Sequence, residues 1–297
     1  IHAVDDIDMA INRGEAHGLV GESGSGKTVT ALSIMKLVPS PPARISGEIT
    51  FNGENLLQKT EDEISAIRGA KIAMIYQDPT SSLNPVQRVG DQLAEAILTH
   101  QRIPKTEAFR TAVKLMDDMG IPSPEKRSKD YPHLLSGGMR QRIVIAMALA
   151  CNPDLVIADE PTTMLDLITQ SQILELMKER VKGRASILYI THDLGLVAEL
   201  CNRVTVMYAG KIMESGSIYQ IFENPLHPYT KGLLESVPRV DDVGLLRTMP
   251  GTLPDPANPP VGCRFHPRCP YARDNCKKEK STFEAEPGHW VACELRW

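Results

Sequence analysis

Gly21-Glu22-Ser23-Gly24-Ser25-Gly26-Lys27-Thr28 is the stretch that decides how this chain reads. A short apolar run, residues 16–20, precedes it and has the look of a buried strand. A helical pattern, residues 28–37, follows it and is stopped by Pro39, Pro41 and Pro42. Strand, glycine loop and helix in that order form the setting in which this spacing cradles nucleotide phosphates. The small residues Gly21, Ser23, Gly24, Ser25 and Gly26 let the loop N–H groups turn inward toward phosphate oxygens. Lys27 adds a cation for the β- and γ-phosphates, and Thr28 offers a hydroxyl to Mg²⁺. The helix that opens there points its positive end at the anion.

A nucleotide loop needs carboxylates for its metal and its water. Leu155-Val156-Ile157-Ala158-Asp159-Glu160 supplies them at the end of an apolar strand, where ligands bind in open α/β sheets. Asp159 suits the Mg²⁺ shell, and Glu160 suits polarising the attacking water. His192 ends the next strand and is placed to hydrogen-bond a γ-phosphate. Gln77 ends the strand at residues 72–75, at the same edge, where it can sense γ-phosphate and Mg²⁺.

About a hundred residues after the first cradle comes a second, Leu135-Ser136-Gly137-Gly138-Met139-Arg140-Gln141. Ser136 is an N-cap candidate for a helix over residues 139–150, whose free N–H groups can face an anion. One triphosphate needs one cradle. The pairing therefore predicts that Ser136, Gly137 and Gly138 serve a nucleotide held by another copy or partner, in a face-to-face ATPase dimer.

Composition narrows the class. Hydrophobic residues make up 42% of the 297, enough for a sizeable core. The formal net charge of −4 gives no global basic field, so nucleic acid is not an expected partner. The longest apolar run, residues 143–151, falls well short of the roughly 20 residues of a membrane-spanning helix. No signal-peptide pattern is present, so the expectation is a soluble chain that meets a membrane only through a partner. Residues 3–7 read like the middle of a strand, and an N-terminal stretch before Ile1 is expected.

Strand patterns at residues 16–20, 45–51, 72–75, 155–158, 186–190 and 204–208 alternate with helical ones at 170–181 and 194–200. Asn52-Gly53 marks a hairpin. This βαβ rhythm predicts an α/β fold with a mainly parallel sheet and helices on both faces. Residues of about 88–145 read as a helical insertion. The expected division is a nucleotide-binding domain over 1–235 and a proline-dense extension over 236–297.

Cys151 and Cys201 sit alone in apolar helical settings and read as small buried hydrophobes. Cys263, Cys269, Cys276 and Cys293 crowd the extension as C-x5-C-x6-C-x16-C. Four thiolates can hold Zn²⁺ or an iron–sulfur cluster. The lack of a C-x2-C knuckle weighs against zinc, and Pro270 after Cys269 is compatible with a cluster loop. Reduced or disulfide-linked cysteines are the remaining option. A metal staple suits a segment with so few apolar residues.

Taken in order, the glycine loop, the Gln77 loop, Leu135-Ser136-Gly137-Gly138, Asp159-Glu160, Asp166 and His192 resemble the nucleotide-binding subunit of an ABC transporter, over residues 1 to about 232. The resemblance implies a P-loop NTPase core of ABC type with a helical signature subdomain. It also implies two subunits that pack head to tail around two ATP molecules, with Asp166 connecting the sites. Within that family the chain is similar to the dipeptide/oligopeptide importer branch. The grounds are residues 18–27, Gln77-Asp78-Pro79 before Ser82-Leu83-Asn84-Pro85, Asn224-Pro225-Leu226-His227-Pro228-Tyr229-Thr230, and the Gly262-Cys263-Arg264-Phe265 tail. This branch implies transmembrane permease subunits, a second ATPase subunit, an external peptide-binding protein, and a peripheral position on the cytoplasmic face of the membrane. Relatives with this tail resemble 4Fe–4S proteins, and some relatives carry nickel or glutathione. A soluble non-transport ABC ATPase and a redox-gated regulator are the competing readings. Met164 stands where the branch usually has alanine, and residues 1–15 lack the aromatic that stacks on adenine, which is expected upstream of Ile1.

Overall fold

A computed structural model of the chain describes residues 1–163, 165–181, 183–237, 249–278 and 281–294. Residues 1–15 form no strand. The strand-like run at 3–7 is instead held by Asp5, whose N–H donates to Gly210 O at 2.8 Å and whose carboxylate faces Lys211 and Arg264. Strand β1 (Ala16–Val20) runs into the glycine loop, and helix α1 (Lys27–Ile34) leaves it. The helix stops three residues before its expected end. Lys36 turns to a left-handed φ of 49°, and Arg68 takes the freed carbonyls of Met35 and Lys36 at 2.8 and 3.0 Å.

Of the strand expected over 45–51, only β2 (Thr50–Phe51) forms, paired with β3 (Glu54–Asn55). Asn52 and Gly53, at φ 50° and 85°, make the two-residue turn their identities favour. Helix α2 (Glu61–Ile67) starts on a capping box between Thr60 and Glu63. Strand β4 (Ile72–Ile75) matches its apolar run. The block that follows is helical among its described residues: α3 (Pro79–Ser82), α4 (Val89–His100), α5 (Lys105–Asp118), α6 (Pro124–Arg127) and α7 (Gly137–Leu149). Then come β5 (Leu155–Asp159), α8 (Leu167–Val181), β6 (Ser186–Thr191), α9 (Leu194–Leu200), β7 (Arg203–Tyr208) and β8 (Lys211–Ser217). Short helices α10 (Ile218–Glu223) and α11 (Pro228–Glu235) precede the tail, which ends in a hairpin of β9 (Phe283–Glu286) and β10 (His289–Val291). No described helix is long and apolar enough to cross a membrane.

The chain divides into two compact units, residues 34–188 and residues 1–33 with 189–297. In the first, β4 and β5 pair in parallel, with Ile75 opposite Ala158. Helix α7 packs on β4, α3 and α4, burying Ile143, Val144, Ile145 and Ala146. Those four residues in sequence leave no polar stripe, which is the pattern of a helix covered on several sides.

In the second unit β1 pairs in parallel with β7, and β7, β8, β10 and β9 then pair antiparallel in that order. The cysteine-bearing extension therefore continues the sheet that carries the glycine loop. Its anchor is Phe265, 1% exposed, whose ring meets Tyr208 and Tyr229 at centroid distances of 5.3 Å. Such aromatic contacts add about 0.5–1.5 kcal/mol per pair beyond the area they bury. A buried polar core supports the same sheet. Glu214 accepts the N–H groups of Leu226 and His227 at 2.8 and 2.9 Å and pairs with His289 Nε2 at 2.7 Å.

Candidate active site and cysteine cavity

The glycine loop is closed on itself by its lysine. Lys27 Nζ donates to Gly21 O and Glu22 O at 2.8 and 2.9 Å, and its side chain is buried. The loop carbonyls face the cation, while the Glu22 N–H is taken by Tyr229 OH at 3.0 Å and the Ser25 N–H by Glu22 O at 3.1 Å. Gly26 sits at φ +107°, and a Cβ there would stand 2.5 Å from Ala3 O, so a side chain is excluded on both grounds. The β7–β8 turn backs the loop, with Gly210 N donating to Ser25 O at 2.8 Å. Ser23, Gly24 and Thr28 are exposed, and Ser25 is buried. His192 is exposed at the end of β6, in the same unit.

In the other unit, the register of β4 against β5 places Gln77 beside Glu160, each two residues beyond the Ile75–Ala158 pair. Gln77 Nε2 donates to Glu160 Oε2 at 3.0 Å, and Thr163 Oγ1 donates to the same oxygen at 3.1 Å. Glu160 holds a left-handed φ of 45°. That conformation costs a non-glycine residue of order 1–3 kcal/mol and is typical of functional positions. Asp159, the last residue of β5, is 5% exposed.

The N-cap expected at Ser136 is present, on a helix that starts at Gly137. Ser136 Oγ accepts the N–H of Met139 at 3.3 Å and caps α7. Gly138 lies against Thr169, whose Cγ2 would be 2.7 Å from any Cβ placed there. Thr169 in turn donates its N–H and hydroxyl to the Asp166 carboxylate at 3.0 and 2.8 Å. These hydrogen bonds hold the Asp166 carboxyl below the usual range. The signature glycines and the Asp166 loop are thus one packed feature. Met164, in that loop, lies outside the described residues.

All six cysteines are free thiols. Cys201 is buried and Cys151 half-buried, the former pushed up to about 12 by burial. The other four converge: Cys263, Cys269, Cys276 and Cys293 line one cavity of about 160 Å³, together with His227 and His266. Among the described residues, no His, Cys, Asp or Glu group is gathered closely enough to hold a single metal ion. Burial pushes the Cys263 thiol up to about 11. His227 Nδ1 accepts the N–H of Tyr229 at 3.0 Å, so Nε2 carries the proton and points at Cys263 Sγ, 3.9 Å away.

The glycine loop is also held by two long-range contacts that no local pattern encodes. Arg268 donates to both Glu22 carboxylate oxygens at 3.0 Å, and Tyr229 OH accepts the N–H of Glu22 at 3.0 Å. Glu22 is an acid within the glycine loop. Its partner lies 246 residues away, beyond any periodicity.

Comparison with known proteins gives this geometry its family. Residues 4–163 match the ABC transporter family model, and residues 213–276 match the model described as oligopeptide/dipeptide transporter, C-terminal region. The chain belongs to the ABC transporter family, as an ATP-binding, ATP-hydrolysing member. It is 48% identical over 299 residues to the oligopeptide transport ATP-binding protein AppD of Bacillus subtilis, covering 99% of this chain and 91% of the relative. It is 47% identical over 295 residues to OppD of Salmonella typhimurium, an oligopeptide transport ATP-binding protein, covering 99% and 88%. Among solved structures, it superposes on the ATP-binding cassette MJ0796, a dimer bound to ADP and Pi, with TM-score 0.65 and 25% identity over 73% of this chain and 90% of that one. The structure of cbiO1 from Clostridium perfringens, part of the ABC transporter complex cbiONQ, gives TM-score 0.64 at 28% identity over 75% of this chain and 84% of that one.

Proposed function

We propose that this chain is the motor subunit of an importer for oligopeptides or dipeptides, working on the cytoplasmic face of the membrane beneath transmembrane permease subunits. The single observation that carries the reading is identity of 47–48% to oligopeptide transport ATP-binding proteins over essentially the whole chain, tail included. The nucleotide is ATP with Mg²⁺. Residues 21–28 would take the phosphates, and Thr28, Asp159 and Gln77 would hold Mg²⁺, which when bound would supply positive charge against the triphosphate. Glu160 takes the proton of the attacking water, and Gln77 and Thr163 hold its carboxylate in place. His192 steadies the γ-phosphate. Ser136, Gly137 and Gly138 serve the nucleotide of a second ATPase subunit, like or unlike this one, and the Asp166–Thr169 pair ties that cradle to the dimer seam.

We further propose that Cys263, Cys269, Cys276 and Cys293 hold a 4Fe–4S cluster in preference to zinc. What supports the reading is that the four cysteines line one cavity of about 160 Å³, in which thiolates could reach a shared cluster. Thiols bind metal as thiolates, so metal binding at these half-buried cysteines would release protons and couple occupancy to the order of the tail.

The test is co-expression with the neighbouring permease subunits and assembly in lipid vesicles. The expected result is a stable complex whose ATP hydrolysis rises when short peptides and their external binding protein are supplied. Stimulation by nickel or glutathione alone, or failure to associate with hydrophobic subunits, overturns the peptide assignment.

A further inference from the structure

Glu22 is the second residue of the glycine loop, and each of its polar ends is fixed by a different element. Its N–H donates to Tyr229 OH at 3.0 Å, and its carbonyl accepts from Lys27 Nζ at 2.9 Å. Its carboxylate is gripped by Arg268 Nη1, 3.0 Å from each oxygen. Arg268 is itself locked. Its side chain is 8% exposed, Nε donates to Pro250 O at 2.8 Å, Nη1 reaches Tyr208 OH at 3.2 Å, and the guanidinium lies 5.6 and 5.9 Å from the Tyr208 and Phe265 ring centres. A second arginine four residues earlier, Arg264, ties the tail to Ala209 O in the β7–β8 turn that backs the loop. Arg268 also stands directly before Cys269, a lining residue of the cysteine cavity.

We propose that Arg268 is a positioning residue for nucleotide binding: it holds Glu22, sets the entry to the phosphate cradle, and cancels a carboxylate that would otherwise repel the triphosphate. Two physical arguments meet here. Nη1 alone meets both Glu22 oxygens, but the planar guanidinium is also held at Nε by Pro250 O, so it fixes that contact in place where a lysine would only supply charge. A negative side chain within a loop that receives a polyanion weakens binding unless it is neutralised, and a partly buried pair is poorly screened by salt. The inference rests on reading residues 21–28 as the ATP cradle. It adds that the extension, far away in sequence, contributes a side chain to the quality of that cradle.

The experiment measures Mg-ATP affinity of the full chain by calorimetry for the parent, Lys27→Ala, Arg268→Met, Arg268→Lys, Glu22→Gln and Glu22→Gln/Arg268→Met, with iron content and unfolding midpoint recorded for each. Lys27→Ala tests the cradle itself. If it binds ATP like the parent, the cradle reading fails independently of Arg268. Expected is a rise in Kd of about tenfold for Arg268→Met, with hydrolysis at saturating ATP kept within about twofold. A smaller rise is expected for Arg268→Lys. The double variant should bind better than Arg268→Met, because the bare carboxylate is gone. The proposal is overturned if Arg268→Met binds within twofold of the parent while folded. It is equally overturned if the effects of Glu22→Gln and Arg268→Met simply add.

Discussion

The amide of Gln77 lies 3.0 Å from the carboxylate of Glu160, and the contact follows from strand register. Both residues stand two positions past a paired couple in β4 and β5, so each emerges beyond the strand ends side by side. Parallel strands place successive ends at one edge, and that edge is where α/β proteins bind ligands. The reading of Glu160 as general base thus rests on geometry as well as on residue type. Glu160→Gln should lower ATP hydrolysis by about 10²–10⁴-fold while nucleotide stays bound. Phosphate release and retained nucleotide, measured on the same sample, check it. Turnover at the parental rate removes Glu160 from the mechanism.

Gly138 gives a steric prediction. A Cβ at that position would be 2.7 Å from Thr169 Cγ2, and Thr169 carries the Asp166 contact. Gly138→Ala should therefore push the Asp166 loop away and cut hydrolysis by up to about 10²-fold, the scale expected when a positioning contact shifts by about 1 Å. Thr169→Ser removes the clashing methyl and keeps the hydroxyl. Combined with Gly138→Ala it should recover most of the activity. Steady-state rates of the two singles and the double decide, and no recovery in the double means that the glycine matters for some other reason.

How far this site was readable depends on the range of the interactions. β4, β5 and β6 are short apolar runs that are buried in the structure, so periodicity reports them directly. Ser136 caps α7 through its own third neighbour, a local bond that a local pattern encodes. The tail hairpin was invisible for the opposite reason. Phe283-Glu284-Ala285-Glu286 is exposed at all four positions and is a strand only because β10 pairs with it. The strand expected over 45–51 errs the other way: its alternation is real, but only Thr50 and Phe51 find a partner. Arg268–Glu22 and His289–Glu214 join residues 246 and 75 apart. Charges in such pairs look like ordinary surface charges until the fold brings them together.

Glu15 supplies a pH signature. Burial pushes its carboxyl up, but hydrogen bonds from His17 and Asn12 outweigh that and hold it at about 2. An unfolded glutamate titrates near ~4.3, so the unfolded chain takes up the proton first as pH falls. The stabilisation is complete above pH ~4.3 and drains away between there and about 2. Glu15→Gln should lose on the order of 2 kcal/mol at pH 7 and very little at pH 2. Urea unfolding of both proteins across that window measures the difference, and parallel pH curves would show that the carboxylate contributes nothing there.

The cysteine cavity gives the prediction with the plainest readout. Four thiols around about 160 Å³ should yield a brown protein with absorption near ~400 nm and iron and acid-labile sulfide in roughly equal amounts. Cys269→Ser replaces a thiolate donor by a poorer one, so it should lower iron content and bleach the colour. Because Cys269 follows Arg268, it should also weaken Mg-ATP binding, and weaken it less when Arg268 has already been changed to Met. His227→Gln removes the ring nitrogen that faces Cys263 Sγ at 3.9 Å and should shift the reduction potential of the cluster while keeping its iron. Metal analysis that returns zinc at one equivalent, with no labile sulfide and no visible band, would assign the cavity to a different metal and leave the nucleotide loop's dependence on Arg268 to be judged by affinity alone.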